Sequence, residues 1–292
     1  MKRLGFILAL APGVAVAHQP AAVTTGLSAP EPWIAIPMLA AAGLYGWGLF
    51  RLWRRSEHGR AALARGASIF LAGWAALAGA TLSPLHQLGA RSFTAHMVEH
   101  ELIMLAAAPL LVWSRPLGVM LWAFATAGRH ALAGIARGRL GGGAWRFISD
   151  PWMATVLQAA AIWVWHLPTL FDRALRAEAW HVAQHLCFFL SALIFWSGML
   201  GPRRSAWASA ACLFATSMVT GALGAFMALS VSPWYASYAA LGLAAFGLTP
   251  TQDQQLAGIL MWVPGGLFHA IVAIALLAPH LRSPPPGQTA DA

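Results

Sequence analysis

Charge is the scarcest commodity in this sequence. Only 9% of its 292 residues are Asp, Glu, Lys or Arg, while 59% are hydrophobic; soluble domains carry roughly one quarter charged residues. A water-soluble chain of this length needs polar helix faces, and most segments here have none, which excludes a soluble globular fold. Lysine is nearly missing: Lys2 is the only one, in a stretch that reads as a removable signal, so a retinal Schiff-base pigment is excluded. Cysteine is as sparse. Cys187 and Cys212 sit in separate apolar runs, which leaves a disulfide framework and a thiolate zinc site both without support. The formal charge of +9 would fit nucleic acid in another setting. Here the basic residues form short clusters between apolar runs, the pattern of membrane topology, and no nucleic-acid partner is expected.

What is abundant is long apolar sequence. Residues 1–17 read as a signal peptide: Lys2 and Arg3, an apolar core from Leu4 to Val16, and the small-residue site Ala15-Val16-Ala17. An outer segment, 18–32, follows. A spanning helix needs ~20 apolar residues to cross a ~30 Å hydrocarbon core. Seven candidates meet this or approach it, at 33–53, 66–85, 93–113, 152–167, 180–200, 205–230 and 256–278. The expected fold is therefore all-α: a polytopic bundle of seven spans over 33–278, N-terminus outside and C-terminus cytoplasmic after signal removal. Residues 114–150 form a basic cytoplasmic loop, and 279–292 a Pro-rich tail of disordered composition.

The run Pro116 to Ala127 is apolar but short, an interfacial helix or an eighth span. Counting arginines decides between them. Seven spans put thirteen arginines inside and only Arg91, Arg173 and Arg176 outside. An eighth span would send Arg203 and Arg204 outside and divide the histidines between two faces.

With seven spans, polar residues gather towards one face. His86 closes the second span, His96 and His100 open the third, His166 ends the fourth, His181 and His185 open the fifth, and Asp253 precedes the seventh. Ionisable groups at membrane depth cost a few kcal/mol each, so clustering at one depth points to a use. His96/His100 and His181/His185 are each four apart, which sets two imidazoles on one helix face, ~6 Å apart in height. Two such helices can enclose a metal ion between them. The expected ligands are His96, His100, His181 and His185, with His166, Asp253 and Met261 as further ligands and Glu99, Met97, Met104 and His86 in support. Imidazole with thioether suits copper, and zinc less well. His269 lies ~24 Å below Asp253 by helical rise and is left out.

Other chemistries use the same residues. His96-Met97-Val98-Glu99-His100 matches the inverted zinc-protease order His-x-x-Glu-His, with Glu99 as base. A haem carrier needs axial histidines, but fewer than are present. A copper or solute transporter needs a polar path through the inner half, where little but His269 stands.

His96 to His100, Trp165-His166-Leu167-Pro168 with Phe171-Asp172, His181 to His185 with Phe188-Phe189, and Asp253-Gln254-Gln255 with Gly258 and Met261-Trp262 occur in that order. On these residues the chain resembles the polytopic CtaG family of cytochrome c oxidase assembly factors, over roughly 33–278. The resemblance implies a multi-pass protein of the bacterial inner membrane with no catalytic turnover. It implies a part in loading copper into the oxidase and makes the oxidase subunits its partners. A periplasmic copper chaperone and a second copy of the chain are further candidate partners. Gln184 stands where a more acidic residue is expected.

Overall fold

A computed structural model describes residues 32–201, 205–244 and 246–282. The expected signal peptide, nearly all of the outer segment 18–32, Arg203, Arg204 and the tail from 283 lie outside the described residues. Among the described residues every regular element is helical. The chain runs through α1 (Pro32–Arg55), α2 (Arg60–Thr81), the short α3 (Pro84–Gly89) and α4 (Phe93–Glu101). A π-helical stretch (Leu102–Ala107) continues α4 into α5 (Ala108–Ser114). Then come α6 (Pro116–Met120), a 3-10 turn, α7 (Thr126–Arg137), α8 (Arg139–Ile148), α9 (Pro151–Trp165) and α10 (Pro168–Arg176). α11 (Glu178–Met199), α12 (Ala206–Leu229), α13 (Ala236–Ala239) and α14 (Pro250–Arg282) complete it.

Six helical stretches are long and apolar enough to cross a membrane, and a seventh forms if α9 and α10 count as one bent span. The protein is thus a multi-pass membrane protein, with spans near the expected positions. The fourth differs most. α9 has 15 residues, about 22 Å of helix, and meets α10 at 71°. The cause is local: Pro168 has no N–H to extend the helix and drives the preceding residue out of the helical region, and Leu167 stands at φ −59°, ψ 130°.

The last helix is longer than its expected 256–278. Its start is written in Thr249-Pro250-Thr251-Gln252, a capping box in which the Gln252 N–H donates to Thr249 Oγ1 (3.3 Å) and the Thr249 N–H to Gln252 Oε1 (2.9 Å). The segment 114–150, expected as a loop, is mostly helical in short pieces. The Arg51 guanidinium ties it to α1 by donating to the carbonyls of Ala123 and Phe124. No crossing helix forms there among the described residues, in line with an interfacial element over an eighth span.

The π stretch has an identifiable origin in Pro109. Within it the Ala108 N–H bonds five residues back, to the Ile103 carbonyl. The same pattern would assign the next carbonyl, of Met104, to residue 109, where proline has no N–H to give. The indole N–H of Trp196 on α11 fills that gap at 2.8 Å.

α12 and α14 cross at two glycines. A Cβ on Gly258 would stand 2.5 Å from the Gly224 carbonyl oxygen and 2.6 Å from the Ala228 nitrogen, both backbone atoms that cannot move aside, the close approach that small residues permit in membrane bundles. Gly258→Ala should therefore destabilise the fold by about 1–3 kcal/mol, seen as a lowered midpoint of thermal unfolding in detergent. Gly46→Ala on α1, where nothing lies within 4 Å, should change it by less than about 1 kcal/mol and upward. Equal effects at the two positions would refute the crossing.

Candidate metal centre

Three short signals place the histidines. Ser83 caps α3 by accepting from the Leu85 N–H, with Pro84 at its first position, and so sets His86 on a separate turn after α2. Ser92 caps α4, which carries His96 and His100 one turn apart. α11 begins at Glu178 and presents His181 and His185 in the same way. The residue-spacing expectation and the three-dimensional arrangement agree on these pairs.

The five imidazoles meet. His96 Nε2 and His100 Nε2 are 3.0 Å apart. His86 stacks on His181 with ring centres 5.1 Å apart and planes within 8°. His185 lies 4.3 Å from His181 and 5.0 Å from His100, centre to centre. Two overlapping groups result, His86/His181/His185 and His96/His100/His185, each with its ligand-type nitrogens within 4.8 Å of one another. Nitrogens at ~2.0–2.1 Å from a tetrahedral ion lie about 3.3 Å apart, so small side-chain rotations separate this arrangement from a closed ligand set.

Hydrogen bonds fix which nitrogen of several rings carries the lone pair. The Tyr238 hydroxyl donates to the Gly89 carbonyl at 2.6 Å; its oxygen therefore accepts from His96 Nδ1–H at 3.0 Å, which leaves the lone pair on Nε2. Burial pushes the Tyr238 phenol well above its ordinary value, and the Asp253 and Glu99 carboxylates act in the same direction, so it stays a donor. His86 Nδ1–H donates to Glu99 Oε1 at 2.7 Å, and His185 Nδ1 lies 3.4 Å from the same oxygen. Glu99 thereby orients two imidazoles, as carboxylates behind metal-ligating histidines do. That commitment leaves the inverted zinc-protease role for Glu99 without support.

The residues present fit a bound ion. His100 Nδ1, His181 Nε2 and His185 Nε2 are buried with no hydrogen-bond partner, as are both polar atoms of fully buried Gln184. Each such atom costs about 1–3 kcal/mol unless something meets it. His166 stands beside the cluster, its ring 6.3 Å from that of His100. Its Nδ1–H donates to the Ile162 carbonyl, so its buried Nε2, also without a partner, offers a lone pair. It belongs to neither group of three.

Four of the expected ligands and supporters have other places in the structure. Asp253, an expected ligand, has both oxygens engaged: Oδ1 accepts from Ser92 Oγ and the Thr94 N–H, and Oδ2 from the Phe93 N–H. Its carboxylate is spent on starting α4. Met261 and Met104 line a separate cavity with Glu101 and His269, and Met97 lies in the apolar core. Residues missed by sequence reasoning include Tyr238 and Tyr235, whose hydroxyl donates to the His166 carbonyl. Their loop, 230–249, gives no periodic signal.

Asp253→Ala would orphan the Phe93 and Thr94 N–H groups at the start of α4. An unfolding midpoint lowered by an amount equivalent to about 1–3 kcal/mol is expected, with part of it recovered by Asp253→Asn; no change in the Ala variant would refute the cap.

A family model described as cytochrome c oxidase caa3 assembly factor (Caa3_CtaG) matches residues 43–283. No curated protein and no solved structure matches the chain.

Proposed function

The chain belongs to the cytochrome c oxidase caa3 assembly factor family, and from that premise we propose that it holds copper at the five-histidine cluster and passes it to the oxidase during assembly. The convergence of five imidazoles from α3, α4 and α11, several with buried nitrogens that no hydrogen bond meets, carries this reading. His96, His100 and His185 form the core of the holding set, with His181 and His86 completing it and Glu99 orienting His86 and His185. Imidazole ligands accept both copper and zinc; the family's task, the assembly of an oxidase, favours copper. The chemistry is one of holding and release: neutral imidazoles supply lone pairs, and the cargo is handed on without a bond of a substrate being made or broken, so no enzymatic turnover is proposed.

In this reading the cluster lies at the periplasmic side of a bacterial inner membrane, with seven spans and the C-terminus inside, which the excess of arginine in the expected inner segments supports. Its partners in this reading are the oxidase subunits and, as donor, a periplasmic copper chaperone.

Elemental analysis of the detergent-purified protein tests the reading. His96→Ala/His100→Ala and His181→Ala/His185→Ala should each lower bound copper by at least about tenfold, and a deletion strain carrying either variant should lack active oxidase. Copper at wild-type levels in both double variants would overturn the assignment. Lost copper with normal oxidase would separate metal holding from assembly and overturn the delivery step.

A further inference from the structure

A second polar site lies deeper in the bundle, on the far side of His100. Glu101, Met104, Gln158, Thr216, Met261 and His269 surround a cavity of about 20 Å³, with Thr220 beside them. A space of this size admits one water or one small ion. Its walls come from α4 and the π stretch, α9, α11, α12 and α14.

Leu105, Ile162, Phe195 and Trp196 close the apolar part of the cavity, and its polar part consists mainly of lone pairs. The Thr216 hydroxyl donates to the Cys212 carbonyl and the Thr220 hydroxyl to the Thr216 carbonyl, so each has spent its proton and keeps only acceptor capacity. His269 Nδ1–H donates to the Gly265 carbonyl at 2.7 Å, which leaves the lone pair on Nε2. Gln158 gives an N–H to Met104 Sδ at 3.3 Å, while its Oε1 is buried without a partner on a side chain only 4% exposed. Glu101 Oε2 is likewise buried and unpartnered, packed against the turn that carries His269: a Cβ on Gly265 would stand 3.3 Å from it. Among the described residues Glu101 forms no ion pair. A cavity of acceptors beside one carboxyl group suits a monovalent cation, whose entry with loss of the acid's proton leaves the site neutral. Two thioethers with an imidazole select a soft ion over sodium, magnesium or calcium.

We propose that Met104, Met261 and His269, with Glu101 as counter-charge, form a second binding site for Cu(I). The site stands on its own residues. Its adjacency to the histidine cluster is set by α4 and the π turn, where Met104 follows His100 by four residues, ~6 Å of helical rise. The link between the two as successive stations rests on the copper reading above.

The test uses the full-length protein in detergent, loaded with Cu(I) without oxygen against a competing chelator. In the wild type, X-ray absorption at the copper edge should contain a sulfur shell beside nitrogen. Met104→Leu/Met261→Leu, nearly conserving volume, should abolish the sulfur shell and one tight equivalent of Cu(I). Glu101→Gln should keep the sulfur shell and weaken Cu(I) retention by about tenfold or more. His96→Ala/His100→Ala should keep sulfur-bound Cu(I), so that failure of the histidine cluster and failure of this site are read separately. A wild-type protein saturated with Cu(I) but lacking sulfur neighbours, or a methionine double variant with unchanged stoichiometry and spectrum, would overturn the proposal.

Discussion

A bilayer core supplies no hydrogen bonds, so every polar group held at membrane depth has to be met by another part of the same chain. The fold follows that constraint wherever a helix departs from its regular ladder. Pro109 costs the π stretch a donor, and the Trp196 indole supplies one. The break after α9 leaves the His166 carbonyl, and the Tyr235 hydroxyl reaches it at 3.0 Å. In the connection before α14, Gln254 accepts the Trp234 N–H and donates to the Met227 and Ser232 carbonyls. These repairs come from residues distant in sequence, and each ties one helix to another.

Against so consistent a background, the groups left unmet gain meaning. They concentrate in two places along α4 and its continuation: the imidazole nitrogens around His100, and the acceptors around Met104. The first is rich in nitrogen and contains the carboxylate of Glu99 as an orienting group. The second offers thioethers, oxygens and one imidazole within a partly apolar lining. Differences in ligand softness between two neighbouring sites create a preference in oxidation state as well as in element. A helix that turns from regular to π geometry between them lets successive residues face both.

Much of this was legible in the chain. Scarce charge and seven apolar runs gave the membrane class, and the four-residue spacing of His96/His100 and His181/His185 gave the pairs, because helical phase is local and periodic. His86 reads as a supporter because it is a single histidine at the end of a span, outside the two pairs; only the turn begun by Ser83 and Pro84 brings it onto His181. Asp253 looked like a ligand from its depth, and nothing in a sequence reveals that three donors at Ser92, Phe93 and Thr94 have already taken its oxygens. Helical rise sets His269 far from Asp253 on their shared helix. Its neighbour is Glu101, on a different helix, and that pairing is a tertiary fact. The Thr249 to Gln252 capping box was readable and would have placed the start of α14 correctly.

The cap made by Asp253 has an electrostatic consequence. The residue lies in the first turn of α14 and binds the first N–H groups of α4, so the positive ends of two helix macrodipoles, roughly half an elementary charge each, converge on a single negative carboxylate. Their sum is close to neutral. The field of Asp253 is weakened by these two helix ends but still reaches Tyr238 beside His96, while Glu99, in contact with His86 and His185, is the negative group nearest the imidazoles.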